Sequence, residues 1–88
     1  MSYVLSSSIS PRSVRAHSVW VGLNDNRIIV RGTSGRDIDC WVYDDAGRLV
    51  DTDETSVCVL DTPGVGTHQL VVQNNSDLSS HYTVWQNE

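Results

Sequence analysis

The side chains able to do acid–base or nucleophilic chemistry are three histidines, His17, His68 and His81, set among many serines and aspartates. A hydrolytic triad needs a nucleophile, a base and an orienting acid within hydrogen-bonding reach, and no spacing here predicts that convergence. The stretch Gly32-Thr33-Ser34-Gly35 has the wrong spacing for a nucleophile elbow and reads as a loop. Neither a zinc-protease helix motif nor a phosphate-cradling glycine loop is present. The histidines read as surface or half-buried strand residues. No catalytic residue is expected, and a small hydrolase stays a remote alternative.

Carboxylates are the next candidates. Asp37, Asp39, Asp51, Asp53 and Glu54 would converge if the strand after Gly47 paired beside the one holding Asp39. Calcium takes about six to eight oxygens, which carboxylates on adjacent strands can partly supply. The spacing is not that of an EF-hand loop. The simpler reading is that these acids solubilise a sheet face and offset Arg36 and Arg48. No cofactor is expected, with calcium on Asp37, Asp39 and Asp53 as the weaker alternative. Cys40 and Cys58 have neither the pairing nor the clustered histidines of a zinc site. Two buried thiols acting as small apolar residues are the expectation, and a structural disulfide is the alternative. Asn74-Asn75-Ser76 fits the N-glycosylation pattern and reads as a chance match.

The sharper candidate is aromatic. In Asp37-Ile38-Asp39-Cys40-Trp41-Val42-Tyr43-Asp44, a period of two puts Ile38, Cys40 and Val42 on one face. Carboxylates are rarely buried unpaired, so that face is the core and Trp41 and Tyr43 point outward beside Asp37 and Asp39. The same logic turns Leu70 and Val72 inward with Gln69 and Gln73 outward. It turns Tyr82 and Val84 inward, the Tyr82 hydroxyl then needing a partner, and Trp85 outward. Exposed tryptophan and tyrosine mark contact surfaces, so Trp41, Tyr43, Asp39 and Trp85 are the expected binding residues. The competing reading has the N-terminal segment, through Tyr3 and Leu5, covering this cluster.

These residues need a scaffold, and the pattern supplies one. Short valine-rich or alternating runs end in turn residues every eight to twelve positions or so, without a helical period. Strands are expected near 3–8, 14–23, 27–32, 37–43, 49–51, 56–60, 68–73 and 82–86. Asn24-Asp25-Asn26 is expected to take the left-handed backbone of a tight hairpin. Asp44-Asp45-Ala46-Gly47 reads as a type I turn closed by a glycine at positive φ. Asp61-Thr62-Pro63-Gly64 is a further turn, and 74–80 a polar loop. The expected fold is a small antiparallel all-β sandwich, jelly-roll-like, of about eight strands. It forms one domain over 1–88, with 1–12 as a loosely held N-terminal strand or tether.

The net charge of −5, with six scattered arginines and no lysine, excludes nucleic acid and anionic membranes as natural partners. No apolar run nears the roughly 20 residues of a membrane helix. The first ten residues lack a basic region followed by an apolar stretch, so the chain is expected to stay in the cytoplasm or to be a mature piece.

From Gly32 onward the chain resembles the bacterial pre-peptidase C-terminal domain family. The matching residues are the aspartate-flanked strand 37–44, Gly47-Arg48-Leu49-Val50, Val57-Cys58-Val59, Pro63, Gly66-Thr67-His68, Val72-Gln73-Asn74 and Tyr82-Thr83-Val84. The chain departs at His68, where the family usually has an aromatic, and at Cys40, where it generally has leucine. The resemblance implies a jelly-roll-like sandwich, a secreted or periplasmic setting and a non-catalytic accessory or adhesive role. The expected function is an interaction module that binds a protein, extracellular-matrix or carbohydrate partner through an exposed sheet face. A stand-alone structural protein that homo-oligomerises through that face is the alternative.

Overall fold

Branched side chains at alternating positions favour extended backbone, because they pack best on a pleated surface. In the computed structural model, which describes residues 1–32 and 37–86, this pattern yields eight strands. They are β1 (Ser2–Ile9), β2 (Val14–Val21), β3 (Arg27–Gly32), β4 (Ile38–Tyr43), β5 (Leu49–Thr55), β6 (Val57–Asp61), β7 (Gly66–Asn74) and β8 (Ser80–Gln86). Residues 33–36, with most of the expected 32–35 loop and Arg36, lie outside the described residues.

The strands form two four-stranded antiparallel sheets, ordered β1-β8-β3-β6 and β2-β7-β4-β5. The chain alternates between the sheets, and only β4 and β5 are neighbours both in sequence and in a sheet. Their turn is the expected one. Gly47 sits at φ 79° and donates its amide to the Asp44 carbonyl at 2.9 Å. One Asp44 carboxylate oxygen accepts the amides of Ala46 and Arg48, and the other accepts from the Arg48 guanidinium. The Arg48 amide above all holds the Asp44 carboxyl below its ordinary range.

Asn24-Asp25-Asn26 corrects the hairpin expectation. It joins β2 to β3 across the sandwich, and none of the three has positive φ. Asp25 instead closes a local turn by accepting the Gly22 amide at 3.0 Å. Turn chemistry reveals a reversal of the chain, not whether the next strand stays in the same sheet.

The inner faces pack Ile28, Val30, Leu60, Tyr82 and Val84 of one sheet with Val19, Val21, Ile38, Val42, Leu70 and Val72 of the other, all buried. Along β4 the alternation is complete: Ile38, Cys40 and Val42 are buried while Asp39, Trp41 and Tyr43 are half-exposed. Cys40 and Cys58 are not separate thiols. They form a disulfide with a Cα–Cα distance of 6.3 Å, joining β4 in one sheet to β6 in the other. The expectation of free thiols fails because β5 folds over and brings β6 against β4, a proximity that no spacing of two cysteines encodes.

The two lateral sides of the sandwich differ. Where β5 meets β6, Asp51 and Asp53 reach across and accept the β6 amides of Asp61 and Val59, each at 2.8 Å. On the far side, β2 presents His17 toward the interior, hydrogen-bonded through Nε2 to the Tyr82 hydroxyl, the partner that this tyrosine required. Burial, then the nearby Arg15 charge, lowers the His17 pKa. A lowered folded value means that the neutral ring stabilises the fold above the ordinary histidine pKa of about 6.5. That contribution is lost as the pH falls through the lowered value. Urea midpoints at neutral and mildly acidic pH should therefore fall more for the wild type than for His17→Gln. Equal falls would show that His17 is not the sensor.

Candidate functional site

The outer face of the β2-β7-β4-β5 sheet gathers the apolar positions that the core leaves out. Register places them in rows across the strands. Ala16, Val71, Trp41 and Thr52 form one row, and Ser18, Gln69, Tyr43 and Leu49 the next. Trp20 extends the face beyond Thr67 and is 63% exposed, while Val14 and Leu49 are each 55% exposed. A sheet of a two-layer sandwich turns one face to the core. Residues of odd number on β4 therefore point away from the core.

Two features bound this surface. At one end Tyr43 lines a shallow groove of about 440 Å³ with Gly47, Thr67, Gln69 and Val71. At the other end Asp39 stands opposite Glu54 and accepts a hydrogen bond from the Asn75 amide at 2.7 Å. Asp37, Thr55 and Asn75 complete a second groove there, of about 380 Å³. The face thus has an aromatic centre with carboxylates at both ends, Asp37, Asp39 and Glu54 at one and Asp44 and Asp45 at the other.

Of the four residues expected to bind together, three share this face and one does not. Trp85 lies on β8, on the outer face of the opposite sheet, in edge-to-face contact with Tyr3 at 5.4 Å between centroids. Its indole donates to Thr83 at 2.9 Å. Alternation tells in from out for each strand, but does not say to which sheet the strand belongs. The covering role expected of the N-terminal segment also falls on the other side. β1 pairs with β8, so Tyr3 packs on Trp85, and Leu5 packs against the core. Sequence reasoning missed Trp20, although its neighbours Val19 and Val21, both buried, carry the same alternating signal.

The expected calcium candidates are likewise split. Asp37 and Asp39 border the acidic groove, whereas Asp53 turns inward to the Val59 amide. No group of three potential ligands among the described residues is arranged to hold a metal ion. The histidines occupy three separate places. His17 meets Tyr82, His68 is buried with Nδ1 donating to the Gly66 carbonyl at 2.9 Å, and His81 meets the Ser8 hydroxyl.

No family model matches the chain, and no curated protein matches it either.

Proposed function

We propose that this protein is a non-catalytic interaction module that binds a protein or polysaccharide partner through the outer face of the β2-β7-β4-β5 sheet. The observation that carries the reading is the juxtaposition of Trp41 and Tyr43 with Val71, Leu49 and Trp20 on a face crossed by no described element. Large rings on a flat support bury much area at little entropic cost, the usual basis of a binding hot spot. Asp39 and Glu54 at one end favour a partner with cationic or hydrogen-bond-donating groups and disfavour an anionic one.

The sandwich supports the accessory role implied by the resemblance to pre-peptidase C-terminal domains, as does the buried disulfide. Disulfides persist in the oxidising setting of exported proteins. The scattered histidines support a non-catalytic reading, since a site and not a fold makes an enzyme.

Gelatin, chitin and cellulose resins supply extended protein and polysaccharide chains for a direct test. The wild type should be retained on at least one of them. Trp41→Ala/Tyr43→Ala should lose about tenfold or more in retention while keeping its thermal midpoint within a few degrees, and Trp85→Ala should be retained normally. A wild type that passes through all three resins, or a double variant retained as well as wild type, overturns the reading.

A further inference from the structure

A sandwich has four edge strands, and here two carry charged groups facing inward or across the edge while a third has edge amides occupied by such groups. β5 turns Asp51 and Asp53 toward β6, and these carboxylates occupy the amides of Val59 and Asp61 on the β6 edge. β2 carries Arg15 on the same side of the strand as Val19 and Val21. Charges so placed are the usual guard against pairing with another chain. β1 has none. Its eight residues, Ser2-Tyr3-Val4-Leu5-Ser6-Ser7-Ser8-Ile9, include no charge and no proline. β8 flanks it on one side, and among the described residues no strand flanks it on the other.

The only irregularity in β1 is a register shift between Tyr3 and Leu5, which leaves Leu5 to Ile9 in regular register with β8. That segment reads apolar–serine–serine–serine–apolar in either direction. Leu5 and Ile9 belong to the inner side, while Ser6 and Ser8 are exposed on the outer side. A two-fold contact demands this symmetry, because residue i of one copy must suit residue j of the other and the reverse.

We propose that β1 pairs with β1 of a second copy, antiparallel about Ser7, so that the two four-stranded sheets become one of eight strands. Leu5 then faces Ile9 of the other copy, Ser6 faces Ser8, and Ser7 faces itself. Like meets like at every position of the segment, which itself contains no charge. The net charge of −5 does not oppose the contact strongly. Asp39, Asp51, Asp53, Glu54 and Asp61 stand on β4, β5 and β6, at or next to the lateral side away from β1. The contact also leaves the Trp41 and Tyr43 face free, so one assembly would present two such faces.

Sedimentation of the intact protein over a range of concentrations tests the pairing. The wild type should form a dimer. Ser6→Lys/Ser8→Lys sets lysine opposite lysine at both ends and should weaken the dimer about tenfold or more. Ser6→Glu/Ser8→Glu should do the same, and an equimolar mixture of the two variants should recover the dimer through opposite charges. Because both positions are exposed, thermal midpoints should stay close to wild type, and a mixture that dimerises shows that both variants fold. A monomeric wild type, a dimer indifferent to the lysines, or a dimer lost in Trp41→Ala/Tyr43→Ala overturns the pairing. A monomer that still binds its resin leaves the sheet-face reading standing.

Discussion

Reducing the Cys40–Cys58 disulfide should lower the stability of this protein by about 3 kcal/mol, the chain-entropy value for a closed loop of this length. The loop spans 18 residues and includes β5, and its ends tie the two sheets together through the core. For a domain of this size, 1 kcal/mol corresponds to roughly 4–8 °C, so the thermal midpoint should fall by about 12–24 °C. The effect is large because the core is small. A chain of under a hundred residues buries only about 60–65% of its unfolded surface, and its margin is correspondingly thin. Cys40→Ala/Cys58→Ala should fall at least as far, because two buried sulfurs leave space that the flanking Ile38 and Val42 must close. Scanning calorimetry with and without reductant measures the first effect and the variant the second. A midpoint that reductant does not move, with the thiols shown to be titratable, would remove the cross-link from the stability of the fold.

The same cross-link shows where sequence reasoning stops. Strand positions were legible, because valines alternate with polar residues and turn residues interrupt them at short intervals. Inward and outward positions were legible too: Asp39 and Asp37 forbid one face of β4, which assigns Ile38, Cys40 and Val42 to the interior. What alternation cannot encode is partnership between strands. Trp41 and Trp85 are both outward, yet they look away from each other, since β4 and β8 lie in different sheets. Cys40 and Cys58 are both inward, and they meet for the same reason. Asp53 belongs to the expected surface cluster, but the pairing of β5 with β4, irregular between Val42 and Tyr43, sets it opposite Cys40 on the inner side. It can remain there as a carboxylate because the edge of β6 offers it an amide.

Replacing Asn74 should be the most damaging single substitution outside the apolar core. It belongs to a stretch that reads as a polar loop and to a glycosylation pattern, but the side chain is fully buried. Its amide nitrogen lies 3.3, 3.2 and 2.9 Å from the carbonyls of Ile9, Ser10 and Leu78, and its carbonyl oxygen accepts the Ser76 amide at 3.0 Å. The Asn74 backbone amide donates to the Ser13 carbonyl. One residue thereby ties the end of β1, the turn into β2, the end of β7 and the loop into β8. Asn74→Ala removes the donor and the acceptor together and takes a partner from one buried and several part-buried backbone groups, at about 1–3 kcal/mol for each left without one. Water entering the vacated space will satisfy some of them, so a loss of about 3 kcal/mol is expected. Asn74→Asp is the informative companion, being of the same size and still able to accept from Ser76. Its carboxylate would face the three carbonyls as an ionised group, which raises its folded pKa above the ordinary aspartate value. Its stability is then greatest below that ordinary value and is lost as the pH rises through the raised one, so its deficit against wild type should widen between acidic and neutral pH. Denaturant midpoints at the two pH values measure it. A deficit independent of pH would mean that the side chain has left the pocket and that the three carbonyls are held by something else.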